Sequence, residues 1–432
     1  VLAQMPAEKQ AEYNKMINDL KGTGEEGVLM LVNMINAPGK GSNAQVDYAL
    51  SGLTHYVMAK GEESARLATA NAYLKALDLV TERETKAFII RQLQILGQDE
   101  CIDALSAYLG DESLSGPASR ALAAIGSENA GKALKAGLMR RMGTPKTQKD
   151  IIVAIGEAQV ADSEELLKAL LGSGDESMQK AVLHSLSRVG SKASIKDMAE
   201  SAAASGYTMT KTNANEAYIA LLKRVAAQGD VKEVEKAAND LLKKATKANQ
   251  TQTRDAALQI LLSLKKENST KLLLSALKDG NKEYRNAALN FASDFANKEV
   301  YIEVMKAMQK AKPEVKVDII NWIGREAKCP SKHDVIKSLE LRFDLTAMQV
   351  LLALLKDSNF DVKQATVWTL VKIGDKQVIP VLAELLTSDN KDVILLGQDA
   401  LAAFNGDIDQ AVARAIPSAT DAGKIAGAEL LA

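Results

Sequence analysis

An all-α protein built from stacked helix pairs is the fold class this sequence predicts, and three observations predict it. Ala, Leu and Lys abound, while only 27 Gly and 8 Pro occur in 432 residues, a composition that favours helix. Apolar residues recur at helical spacing from end to end, and no stretch alternates as a strand does. The same pattern of turn and helix-end residues returns roughly every 30 to 35 residues, which marks an α-solenoid rather than the two to four compact domains that length alone would suggest.

Composition removes several function classes. Lys plus Arg number 54 against 55 Asp plus Glu, for a net charge of -1, which disfavours a generally basic nucleic-acid binder and an acidic disordered tail. Hydrophobic residues make up 47%, enough for a substantial core. Cys101 and Cys329 stand 228 positions apart, so neither a disulfide framework nor a cysteine metal cluster is expected. The densest apolar run, Val28 to Val32, is too short to cross a bilayer, and no membrane insertion is expected. The sequence opens on Val1 rather than Met, which implies residues before it and leaves a signal peptide open.

The elements follow in order. Tyr13, Met16, Ile17 and Leu20 form one apolar stripe, and similar stripes continue at roughly 25–36, 42–60, 63–80 and 84–96, giving about 26 helices along the chain. Gly97, Gly126, Gly156 and Gly190 each follow an apolar helix end, at spacings of 29, 30 and 34, and are expected as left-handed C-terminal caps. Downstream a frame emerges: Leu355-Lys356-Asp357, Val362-Lys363, Ala365, Leu370, Ile373-Gly374. Copies start at Leu277-Lys278-Asp279 (with Tyr284-Arg285), at Ser173 (with Met178-Gln179) and at Ser388 (with Val393).

This frame resembles the HEAT repeat, a helix pair with Asp in its inner turn and a Val-Arg/Lys step opening the second helix. In that family the Asp and the basic residue six later form a ladder along the stack. The resemblance implies rungs Asp279–Arg285 and Asp357–Lys363, while Ser173–Gln179 and Ser388–Ile394 lack the charges. Two places break the rhythm. Ser201 to Asn215 is small and polar, and is expected to be a longer loop or hinge, dividing the chain into halves at 1–206 and 207–432. Ala327 to Met348 inserts extra sequence around Cys329-Pro330. The terminal pattern Asp421 to Ala432 has no polar closing helix, so the chain is expected to be a piece of a longer protein.

The stretches Asn321 to Pro330, Leu341 to Leu352 and Gly406 to Gly427 further resemble the helical-repeat region of large secreted bacterial proteins that carry a downstream 3-keto-disaccharide hydrolase-like domain. That resemblance implies a periplasmic or secreted location and a carbohydrate-processing parent. It transfers no catalytic residue.

Candidate chemistry is sparse. Gly22-Thr23-Gly24-Glu25-Glu26-Gly27 matches a dinucleotide fingerprint in letters only, because a helix precedes it where a strand is needed and the two Glu would repel phosphate. Gly39-Lys40-Gly41-Ser42 lacks the earlier Gly of a phosphate loop, with Met34 in that place. His55, His184 and His333 are dispersed, and no zinc spacing or nucleophile elbow occurs. Trp322 and Trp368 lie among apolar neighbours and fit inter-repeat core better than sugar platforms. The electrostatic anomaly is Lys132, Lys135, Arg140, Arg141, Lys146 and Lys149 against Asp150 alone, which reads first as a solvated face and otherwise as a basic ridge that would meet an acidic protein partner or a phosphate backbone.

The sequence therefore predicts a single right-handed α-solenoid of roughly 12 or 13 HEAT-like pairs with a concave surface lined by second helices. Its expected role is a non-catalytic, monomeric scaffold for a protein partner or another domain of its own chain, with no cofactor. The alternatives are the accessory arm of a secreted carbohydrate-processing enzyme and a HEAT-like nucleic-acid binder, the latter disfavoured by neutral charge and few aromatics.

Overall fold

The computed structural model describes residues 2, 5–7, 9–264, 269–337, 339–342 and 345–432. Among them are 26 α-helices and one short two-stranded pairing. Contacts divide the chain into two compact units, Val1–Ala237 and Ala238–Ala432.

In the first unit the helices alternate between two rows. Ala44–Tyr56, Arg83–Leu96, Ser115–Ile125, Pro145–Glu157, Glu176–Val189 and Ala214–Ala227 pack one against the next as second helices. Gly24–Asn33, Glu63–Leu79 and Glu128–Met139 belong to the row of first helices. Glu176–Val189 shows why the sequence folds this way. Asp175 caps it by accepting from the Met178 N–H at 2.8 Å, an N-terminal signal worth about 1 kcal/mol. Ala181, Val182, Ser185 and Leu186 then turn into the core, while Lys180 and His184 stay exposed.

The second unit repeats the arrangement with Thr251–Leu264, Lys282–Ala292, Pro313–Glu326, Phe360–Ile373, Lys391–Ala402 and Asp421–Leu431 as second helices. Asn281, Asn359, Asn390 and Thr420 each cap one of them through the side chain. Trp322 and Tyr301 are fully buried and stacked, with ring centroids 5.2 Å apart, so Trp322 is core as expected. Trp368 is half-buried against the same core.

The structure corrects several expectations. Of the four predicted left-handed caps only Gly126 is one, at φ 64°. Gly97 and Gly190 are extended, and they are glycines because a Cβ would sit 2.5 Å from the Leu93 carbonyl and 2.6 Å from that of Leu186. Gly156 lies inside its helix and allows close packing instead. The segment Ser205 to Asn213 is a turn joining Ile195–Ala204 to Ala214–Ala227, which pack together as one pair. The contact division falls later, within the helix Val231–Lys247, between Ala237 and Ala238.

The insert after Ala327 holds the helix Pro330–Lys337 and an antiparallel pairing of Glu340–Arg342 with Leu345–Thr346, where no strand was expected. Two or three residues per strand are too few to leave an alternation signal. Thr346 ends the pairing by starting the next helix, in a capping box with Gln349.

Candidate functional site

Ion pairs join consecutive repeats, but they are not the rungs expected from the sequence. Arg254, Arg285, Lys316 and Lys363 each occupy the fourth position of a second helix. The Arg254 Nη2 meets Asp279 Oδ2 at 2.6 Å, and Lys316 Nζ meets Asp357 Oδ2 at 2.8 Å. Each cation thus pairs with the inner-turn Asp of the following repeat. The rungs Asp279–Arg285 and Asp357–Lys363 do not form as side-chain pairs. Arg285 instead donates to the main-chain oxygens of Asp279 and Gly280, at 2.9 and 3.1 Å. In the repeat after Arg285 the inner turn carries Lys310 and Lys312 in place of an acid, and Asp318 within the helix supplies the carboxylate at 2.7 Å.

These contacts set the ionisation of the acids. Burial opposes the Asp279 charge, yet Arg254, the Asn281 N–H and Arg285 together hold its carboxyl below the usual range. Lys316 and the Asn359 N–H hold Asp357 below it too. The rungs tie consecutive repeats together.

The six cations of the predicted ridge fall into two groups, Lys132 and Lys135 toward one end of the helix pair Glu128–Met139 and Pro145–Glu157, the other four toward its connecting turn. Lys132 pairs with Glu128 at 2.6 Å, and Lys135 donates to the Ala161 carbonyl at 3.1 Å, near the C-terminal end of Pro145–Glu157. Lys146 donates to the Glu112 carbonyl and Lys149 to Ser177 Oγ, near the other end of that helix. Arg140 and Arg141 sit in the turn from Glu128–Met139 into Pro145–Glu157, at the Lys146 end, where Arg141 takes a left-handed φ of 49°. Asp150 accepts from Ser115 Oγ at 2.6 Å.

Lys149 does belong to a larger feature. A groove of about 770 Å³ crosses Pro145–Glu157, Glu176–Val189 and Ala214–Ala227. Lys149, Lys180, Arg188 and Arg224 line it with Glu216 as the only carboxylate, and Val153, Ala181, Ala217 and Ala220 give it an apolar floor. Arg188 Nε donates to the Gly156 carbonyl at 3.0 Å, and Arg224 Nε donates to the Ser187 carbonyl at 2.9 Å. Each arginine so covers the negative C-terminal end of the preceding second helix. That single bond holds the guanidinium while its other N–H groups remain. Burial lowers the Arg224 pKa, with Glu164 opposing, and its Nη2 has no acceptor among the described residues.

The remaining candidates resolve as packing or turns. Gly22 ends one helix and Gly24 opens the next, so the fingerprint-like run is a helix turn. Gly39 to Ser42 is a loop beside the mutual hydrogen bonds of Asn36 and Asn43. His55 is exposed, His184 faces the groove, and His333 Nδ1 lies 2.8 Å from the Ala327 carbonyl. Among the described residues no cluster of His, Cys, Asp and Glu could hold a metal, and no helix is long and apolar enough to cross a membrane.

Residues 307–402 match the family model described as HEAT repeats. Among solved structures, Kap95p in its complex with RanGDP is similar over 100% of this chain and 66% of that one, with 13% identity and a TM-score of 0.53. She4p matches over 98% of this chain and 76% of its own, at 10% identity and a TM-score of 0.32. A structure described for cadherin and β-catenin interaction matches over 100% and 99%, at 12% identity and 0.31. A search of the curated proteins returns no match. The fold is a helical solenoid of the HEAT/armadillo type.

Proposed function

We propose that this chain is a non-catalytic helical-repeat scaffold that binds a protein partner, or another domain of its own polypeptide, across its second helices. The observation that carries the reading is the groove over Pro145–Glu157, Glu176–Val189 and Ala214–Ala227, where three successive helices set cations around a floor of small apolar residues. A surface assembled from many repeats offers area and charge rather than a reaction centre, and it suits association through numerous modest contacts. The similar Kap95p is seen with a protein, RanGDP, which supports the reading by fold alone. An extracytoplasmic setting belongs to the same proposal, on the stretches that resemble secreted repeat proteins.

The test is amine-reactive crosslinking of the purified chain in extract of its source, followed by size-exclusion and mapping of the linked lysines. One protein co-eluting at fixed stoichiometry, linked through Lys149 or Lys180, is the expected result. A chain that elutes alone under these conditions overturns the scaffold reading.

A further inference from the structure

The groove's chemistry narrows the partner. Four cations face one carboxylate along it, although the chain as a whole is balanced at a net charge of -1, so the excess is local. Lys149 and Lys180 each hold the fifth position of their helices and are thereby one repeat apart. Adjacent packed helices lie about 8–10 Å apart, and an extended polyproline-II segment advances about 3.1 Å per residue with three residues per turn, so such cations would meet every third side chain, all on one face, of a segment laid across the helices. The arginines are already oriented through their Nε bonds to Gly156 and Ser187, which reduces the entropy lost on pairing with an anion. No Phe, Tyr or Trp lines the groove, so nucleic-acid bases lack the large stacking platforms that favour them.

We infer that this groove binds an extended acidic peptide segment, with carboxylates on Lys149, Lys180 and Arg188 and small side chains against Ala181 and Ala217. The inference rests on the scaffold reading and names the partner chemistry of its surface.

The experiment titrates the chain into a fluorescein-labelled peptide of five Glu-Ala-Ser repeats at physiological salt, following polarisation. A peptide of the same composition with its Glu in one block, and an oligothymidylate of equal charge, run beside it. Saturable binding that prefers the spaced peptide, weakened at least tenfold in Lys149→Glu/Lys180→Glu and unchanged in Arg140→Glu/Arg141→Glu, is the expected result. Ala220→Trp, at an exposed groove position, reports occupancy by its emission without altering a cation, and should respond to the spaced peptide. Absence of saturable binding, equal binding by the Lys149→Glu/Lys180→Glu variant, or preference for the oligonucleotide overturns the inference. If the peptide fails while crosslinking still finds a stoichiometric partner, the scaffold reading stands and only the acidic-peptide assignment falls.

Discussion

The run Asp-Ile-Ile-x-x-Ile-Gly occurs at Asp150 to Gly156 in the first unit and at Asp318 to Gly324 in the second, and the two copies are built alike with different charges around them. Both lie on helices that begin with proline, Pro145–Glu157 and Pro313–Glu326. In the first, Ser185 Oγ donates to the Ile152 carbonyl at 2.8 Å; in the second, Thr369 Oγ1 donates to the Ile320 carbonyl at 3.0 Å. Three residues on, Arg188 and Lys372 occupy the same helix position, and each lies over the glycine of the preceding second helix. The aspartates differ. Asp318 is buried against Arg285, whereas Asp150 is half-buried and accepts from a serine hydroxyl. Close approach at a glycine with a hydroxyl bond is therefore the shared way of joining repeats, and the ionic rung is a separate addition.

The largest effect should come from the aspartates. Asp318→Ala strands Arg285 in the core and should cost about 3–5 kcal/mol in urea unfolding, while Asp150→Ala removes one half-buried hydroxyl-to-carboxylate hydrogen bond for about 1.5 kcal/mol. Equal losses would break the distinction just drawn. The glycines come next. A Cβ on Gly156 would lie 2.7 Å from the Ser185 Cα, so the helices themselves must part. On Gly324 it would meet only side-chain atoms, Thr369 Oγ1 at 2.6 Å and Lys372 Cδ at 3.3 Å. Gly156→Ala should lose about 1–3 kcal/mol to overpacking. Gly324→Ala should lose less, and Thr369→Ala added to it should recover part of that loss. A Gly324→Ala variant as damaged as Gly156→Ala would show that the second interface yields no better than the first.

The smallest effect concerns Asp255, whose Oδ1 is buried with no hydrogen bond among the described residues. Burial pushes its carboxyl up to about 6, with Arg254 opposing and Glu283 adding. A carboxyl raised on folding is most favourable below its unfolded value, and stability falls as pH climbs from there through about 6. Asp255→Asn should raise Tm by roughly 2 °C at pH 7.5, with the gap closing toward pH 4 in calorimetry. A gap that widens in acid would reverse the sign.

The repeat architecture was legible because its period survives divergence: inner-turn Asp279 and Asp357, the valine or tyrosine before the basic residue, and Gly374 all recur in frame. The rungs were misread by one repeat, since Arg285 and Asp279 are six apart in sequence while the side chain reaches Asp318, 33 residues on. A linear window also favoured the ridge from Lys132 to Lys149 over the groove. Lys149 and Lys180 are 31 positions apart, as Arg188 and Arg224 are 36 apart, and only stacking makes neighbours of them. The Arg188 and Arg224 bonds to helix-end carbonyls left no composition signal at all, because an exposed and a tethered arginine read the same in sequence.

Those tethers bear on how the first unit would yield to a pull. Traction along the row from Pro145–Glu157 to Ala214–Ala227 would load the bonds at Gly156 and Ser187 in series, each shared by two adjoining helices and by no third. Failure of a whole interface, its core packing and the Ser185 bond to Ile152 included, would detach a single hairpin and pass the load to the next, so the unit would lengthen in steps of one repeat.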